Sequence, residues 1–178
     1  MKNNKYHLVS LGCSKNLVDS YSIATILNTQ GYQHTDNVDN ANFIIINTCG
    51  FIDIAREESI STIKTLIKNK NTNQKIIVTG CLSERYKEVL SSDIPGIDAI
   101  YGTRRWMDID LIINKLQKSS GKSPIIHFPY SPTIGSEIDG FHRIAIQGGS
   151  AYLKISDGCR RSCSYCAIPL IKGRSKSR

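Results

Sequence analysis

The sequence predicts an α/β fold, with a parallel-sheet domain over residues 1–118, a linker over 119–140 and the opening of a second unit over 141–178. Three observations predict it. Short continuous aliphatic runs, "YHLVSLGC", "NFIIINTC" and "KIIVTGC", recur along the first half of the chain, the pattern of strands buried on both faces of a parallel sheet. Between them lie longer stretches with apolar residues at helical spacing. From Ser119 to Ser136 the composition changes to "SSGKSPIIHFPYSPTIGS", which holds three of the five prolines and has room for one short extended piece.

The first run ends at Cys13, and a helix carrying Leu17, Ile23, Ile26 and Leu27 follows, closing before Gly31, a residue suited to the position just past a helix. The second run ends at Cys49. Its helix carries Ile54, Ile60, Ile63, Leu66 and Ile67, with Glu57 and Glu58 early and Lys64 and Lys68 late, as the helix dipole favours. The third run ends at Cys81, ahead of a shorter helix from near Ser83 that carries Tyr86, Val89 and Leu90. "DAIYG" is a fourth strand, and a helix from about Trp106 to Lys118 completes the layer. Tyr101 and Trp106 read as packing, and the Arg104-Arg105 pair reads as a solvated turn. After the linker, "HRIAIQGGSAYLKISDGC" offers two strand-like runs, the second leading straight into a cysteine-rich loop.

The order strand, cysteine, helix thus occurs three times. In sheets built from right-handed βαβ units, ligands sit beyond the carboxyl ends of the strands. Cys13, Cys49 and Cys81, separated by 36 and 32 residues, are therefore expected to converge there. One cysteine at a strand end is ordinary packing; three at equivalent places predict a shared centre. Gly12 and Gly80 suit a close backbone approach, and Asn16 and Asn47 suit either hydrogen bonds to sulfur or backbone capping.

"SDGCRRSCSYCAIP" places Cys159, Cys163 and Cys166 on one loop. Three thiolates leave a four-coordinate zinc or a four-iron cubane one ligand short. No second C-x2-C pair follows before Arg178, and His127 and His142 lie upstream, fifteen residues apart. Two readings stand: a disulfide or zinc knot, and a cluster whose fourth iron is open to a substrate or cofactor.

A chain of 178 residues can bury one full core and begin a second. The formal charge of +8 suggests an acidic partner such as nucleic acid or a ribonucleoprotein. No run approaches the roughly 20 apolar residues of a membrane helix. The apolar run from Leu8 to Leu11 is too short for an export signal, so a cytoplasmic location with reduced thiols is expected.

"CRRSCSYC" is similar to the C-x3-C-x-aromatic-C loop of radical S-adenosylmethionine (SAM) enzymes. With the three strand-end cysteines, it makes the chain resemble the methylthiotransferase branch of that family. "SLGCSKNLVDS", "INTCGFIDIAREESI", "VTGCLSERY" and "ISDGCRRSCSYCAIPLIKGRSKSR" resemble the arm that modifies ribosomal protein S twelve (RimO type). The tRNA-modifying arm typically shows Gln-Met-Asn after the first cysteine. The resemblance runs from about residue 6 to 118 and from 141 to 178.

This resemblance implies an auxiliary 4Fe-4S cluster on Cys13, Cys49 and Cys81, and a second 4Fe-4S cluster on Cys159, Cys163 and Cys166 whose open iron takes SAM. It places Tyr165 near the SAM adenine. It implies transfer of a methylthio group to the β-carbon of an aspartate in ribosomal protein S twelve, with that protein or the small ribosomal subunit as partner. Residues 141–178 would be the first βα unit of a truncated radical SAM (TIM-like) barrel. The sequence names no electron donor or sulfur source. Tyr21 departs from the family pattern, which usually has Glu there. Lys172, Arg174 and Arg178 read as a basic solvated tail or as cations leaning towards an acidic substrate loop or the SAM carboxylate. The competing readings are the tRNA-modifying arm, a non-catalytic cluster-binding remnant, and a basic zinc module that binds nucleic acid.

Overall fold

The structure, a computed structural model, describes residues 4–119, 123–130 and 143–177. The aliphatic runs fold as expected, into β1 (Lys5–Ser10), β3 (Phe43–Thr48) and β4 (Lys75–Gly80). Helix α1 (Ser14–Thr29) follows β1 and leads to a two-residue strand β2 (Gln33–His34); α2 (Asp53–Asn69) follows β3. Gly31 takes a positive φ of 85° just beyond α1, the left-handed step that releases the chain from a helix.

The strands form one parallel sheet in the order β2-β1-β3-β4-β5-β6, where β5 is Ala99–Tyr101 and β6 is Ile125–His127. The continuous apolar runs follow from burial on both faces. Ile45 and Ile77 pack with Ile23, Leu27, Trp106 and Ile112 on one side. Ile44, Ile46, Ile76 and Val78 pack with Ile63, Leu90 and Ile100 on the other. Each fully buried isoleucine is worth about 1.5–3 kcal/mol, so the sheet and its two helical layers hold each other. Ile54, placed by periodicity on the inner stripe of α2, is instead 78% exposed.

Two helices differ from their sequence outlines. The segment after Cys81 divides into α3 (Cys81–Arg85) and α4 (Lys87–Asp93), parted at Tyr86, whose φ of −131° and ψ of 38° are not helical. The stretch from Trp106 begins as a 3-10 turn over Thr103–Asp108 before α5 (Ile109–Lys118). Of the expected linker, residues 120–122 and 131–140 lie outside the described residues, as do Phe141, His142 and Arg178. The extended piece within it is a full member of the sheet: Ile126 of β6 sits opposite Ile100.

Beyond the linker, β7 (Ile144–Gln147) and β8 (Ser150–Leu153) form an antiparallel hairpin around Gly148 and Gly149. The run "AYLKIS" is broken at Lys154, whose side chain turns into the interior, and a short β9 (Ser156–Asp157) precedes the cysteine loop. After it come α6 (Ile168–Lys172) and β10 (Lys176–Ser177), which pairs antiparallel with β9. Among the described residues the strands of this segment pair antiparallel, β7 with β8 and β9 with β10. No helix of the described residues is long and apolar enough to cross a membrane.

Candidate functional site

The chain runs from β1 outward to β2 and then returns to place β3 on the other side of β1. α1 covers one face and α2 the other. Such a switch in strand order opens a crevice at the carboxyl ends of the strands. Cys13 follows β1 as the residue before α1, while Cys49 and Cys81 stand directly after β3 and β4. Neighbouring strands lie about 4.8 Å apart, so the three cysteines span three adjacent strand ends. They line one cavity of about 630 Å³. Its other walls are mostly apolar and include Phe51, Ile52, Ala55, Ile168 and Ile171.

Backbone geometry keeps the floor of this cavity tight. Gly12 has φ of +95°, and a Cβ there would meet the Cys49 Cβ at 2.6 Å and its Sγ at 2.9 Å. At Gly80, with φ of +103°, a Cβ would meet the Thr48 carbonyl oxygen at 2.3 Å. Gly50 lies as close to the backbone of Leu82. Ser59, fully buried on α2, accepts a hydrogen bond from the Cys49 N–H at 3.1 Å, and its hydroxyl lies 3.0 Å from the Cys49 carbonyl and 2.8 Å from that of Ala55. Asn16 and Asn47 mainly satisfy backbone groups. Asn16 Nδ2 donates to the carbonyls of Leu11 and Thr48 at 3.0 and 2.8 Å, and Asn47 Nδ2 donates to that of Asn16 at 2.9 Å. Asn16 also reaches a sulfur, with its Oδ1 3.6 Å from Cys81 Sγ.

Cys49 is buried, Cys81 is partly buried and Cys13 is exposed. Burial pushes the Cys81 thiol up to about 11, against the opposing pull of the Lys172 ammonium. The donor set suits a soft, thiolate-loving centre. Among the described residues no three His, Cys, Asp or Glu side chains form a group that could hold a single metal ion.

The second set of cysteines occupies the loop between β9 and α6 and does not line that cavity, although Asp157 and Gly158 at the start of the loop do. Cys159 donates its N–H to Gly173 O at 3.1 Å and accepts that of Arg161 on Sγ at 3.4 Å. A turn closes between Cys166 N–H and Cys163 O at 3.1 Å. Gly158, with φ of +84°, has no room for a Cβ beside Arg174 O. Tyr165 stands 90% exposed.

Lys172 and the Arg104-Arg105 pair depart from the solvated positions expected of them. Lys172 is not part of a solvated tail; it is buried at 5% exposure and donates to Asp19 Oδ2 at 3.0 Å and Thr103 Oγ1 at 2.6 Å. Burial disfavours its charge, but Asp19 and Asp157 outweigh that and hold it protonated. Arg174 is exposed, as expected. Arg104 is not a solvated turn residue: it donates to the carbonyls of Ile171 and Leu170 at 2.9 and 2.6 Å and pairs with Glu84 at 3.3 Å. Its neighbour Arg105 pairs with Asp108 at 2.7 Å, which also accepts from His127 at 2.6 Å. Tyr21, where the resemblance leads one to expect Glu, donates its hydroxyl to Ile146 O at 2.8 Å.

Residues 5–102, more than half of the chain, match the family described as Uncharacterized protein family UPF0004. The chain belongs to this family. Among relatives of this UPF0004 chain, the ribosomal protein uS12 methylthiotransferase RimO of Caldicellulosiruptor saccharolyticus is 43% identical over 175 residues, which cover 98% of this chain and 39% of that protein. The protein of the same name from Aliarcobacter butzleri is 44% identical over 174 residues, covering 97% and 36%. That of Clostridioides difficile is 42% identical over 178 residues, covering 98% and 39%. The chain spans about two fifths of the length of these curated relatives. The UPF0004 match covers the whole cavity floor, including Cys13, Cys49 and Cys81.

Proposed function

We propose that this chain is the amino-terminal part of a radical SAM methylthiotransferase, a transferase acting in the cytoplasm on the β-carbon of an aspartate in ribosomal protein uS12. The observation that carries the proposal is the meeting of Cys13, Cys49 and Cys81, from three strand ends, in one apolar-walled cavity. Its support is the set of relatives named as uS12 methylthiotransferases. The net charge of +8 is compatible with a ribosomal partner.

Sulfur ligands on three separate strand ends suit a centre that gives each thiolate its own iron, as a 4Fe-4S cubane does. In this reading Cys13, Cys49 and Cys81 hold the auxiliary cluster, and Cys159, Cys163 and Cys166 hold the cluster that binds SAM. When bound, these groups supply the electron transfer, the radical chemistry and the sulfur. The chain's own residues do the rest. Each set would supply three thiolate ligands to its cluster. Phe51, Ile52, Ile168 and Ile171 would form the apolar wall around the first centre. Tyr165, exposed on the loop, would pack against the SAM adenine. The amino-terminal layer extends through β6, and residues 143–177 open the radical SAM domain.

Iron and acid-labile sulfide per chain after anaerobic reconstitution test the reading. About eight irons support two cubanes, and SAM cleavage by that material supports a catalytic role. About four point to a cluster-binding remnant, and zinc without iron overturns the reading.

A further inference from the structure

Five ionisable side chains meet in the interior between α1 and the segment that carries the second set of cysteines. They are Asp19, Arg143, Lys154, Asp157 and Lys172, and the side chain of each is at most 4% exposed. Asp19 pairs with Arg143 in a close contact, with Lys154 at 2.9 Å and with Lys172 at 3.0 Å. Asp157 lies 2.7 Å from Lys154, 3.7 Å from Lys172 and 3.8 Å from Arg143.

Of the five, only Asp19 belongs to the α/β layer. The helix that carries it starts immediately after Cys13 and bears Asn16, which reaches Cys81. The other four flank the second set: Asp157 lies two residues before Cys159, and Lys172 six residues after Cys166. The Arg143 guanidinium also stacks over Trp106, 4.8 Å from its centre. A carboxylate that meets three buried cations at once has one place to sit, and Arg143 and Lys172 lose their nearest carboxylate if it moves.

We infer that Asp19 is a positioning residue: it seats the segment bearing Cys159, Cys163 and Cys166 against the cavity lined by Cys13, Cys49 and Cys81, and so fixes the separation of the two sets. Its purpose rests on the methylthiotransferase reading, but the seat itself does not. A separation fixed in this way matters wherever one centre must act on what the other holds, because small misplacements are costly to a reaction.

Hydrogen exchange on the metal-free chain tests the seat. In Asp19→Asn, amides of β7, β8 and α6 should exchange about tenfold or more faster, while β3 and β4 keep their protection. Uniform acceleration of both regions, or no change, overturns the inference. Because that variant leaves three buried cations facing one carboxylate, Asp19→Asn/Lys154→Met, which removes one charge of each sign, is measured beside it. The double variant should recover thermal stability yet keep fast exchange in β7, β8 and α6. Slow exchange restored in the double variant would mean that Asp19 only balances charge. In chains loaded with both clusters, the distribution of distances between them by pulsed paramagnetic resonance should broaden in the double variant; an unchanged distribution overturns positioning. A parent chain that takes up no iron, but in which Asp19→Asn shows the selective exchange, sinks the methylthiotransferase reading and leaves the seat standing.

Discussion

Gly12 touches Cys49 across the floor of the cavity: a Cβ on Gly12 would stand 2.6 Å from the Cys49 Cβ, and φ there is +95°. Two independent constraints thus exclude a side chain at one point. Gly12→Ala should lower the thermal midpoint, because the left-handed backbone alone costs about 1–2 kcal/mol and the contact forces Cys49 to move. Iron at the first set should fall while iron at the second remains. An alanine variant with full iron and parent stability would show that the floor relaxes.

Replacing Cys13, Cys49 and Cys81 together by alanine should remove about half of the bound iron, since each cubane carries about four. Metal analysis of the reconstituted variant checks it. Unchanged iron content would refute the shared centre.

Ser59 holds both backbone polar groups of Cys49 from within α2. Ser59→Ala leaves the buried Cys49 N–H without that acceptor, a loss of about 1–3 kcal/mol. Urea unfolding reads it directly. The alanine should also raise the exchange rate of the Cys49 amide more than that of its neighbours in β3.

Asp98 predicts the acid behaviour of the opposite end of the sheet, just before β5. Burial would raise its carboxyl, but hydrogen bonds from Lys70, the Ile76 N–H and Lys75, with the Lys70 charge, bring it below the usual carboxylate value. A depressed folded value stabilises the fold at pH above the unfolded value of about 3.9, and this contribution fades as pH falls through the folded value. Asp98→Asn should therefore cost about 1 kcal/mol at pH 7, and the gap between variant and parent should close towards pH 3. A gap that stays constant over this range would mean that charge plays no part.

The sheet and the shared address of the three strand-end cysteines are legible in the sequence because both are written in local pattern. β3 is buried at all six residues, and an unbroken run such as "FIIINT" suits little besides a strand covered on both faces. Cysteines at three matching strand ends followed from the same runs. The joints were not legible. Tyr86 looks like any helical residue, yet the chain bends there. Asp19 and Lys172 are 153 residues apart, and nothing local marks either as a buried partner of the other. Arg104 reads as a surface turn until α6 arrives to offer its carbonyls. Gly148-Gly149 did carry a signal, since paired glycines between two strand-like runs favour a tight hairpin.

β6 has a practical side. It lies beyond residue 118, in a stretch that composition alone marks as a connector, yet it covers β5 along its whole length. A fragment cut after α5 would present the bare edge of a strand whose three residues are all buried in the intact sheet. Such uncovered edges recruit other chains. The shortest piece fit for expression on its own should therefore run to Tyr130, and clones ending near Lys118 should collect in the insoluble fraction.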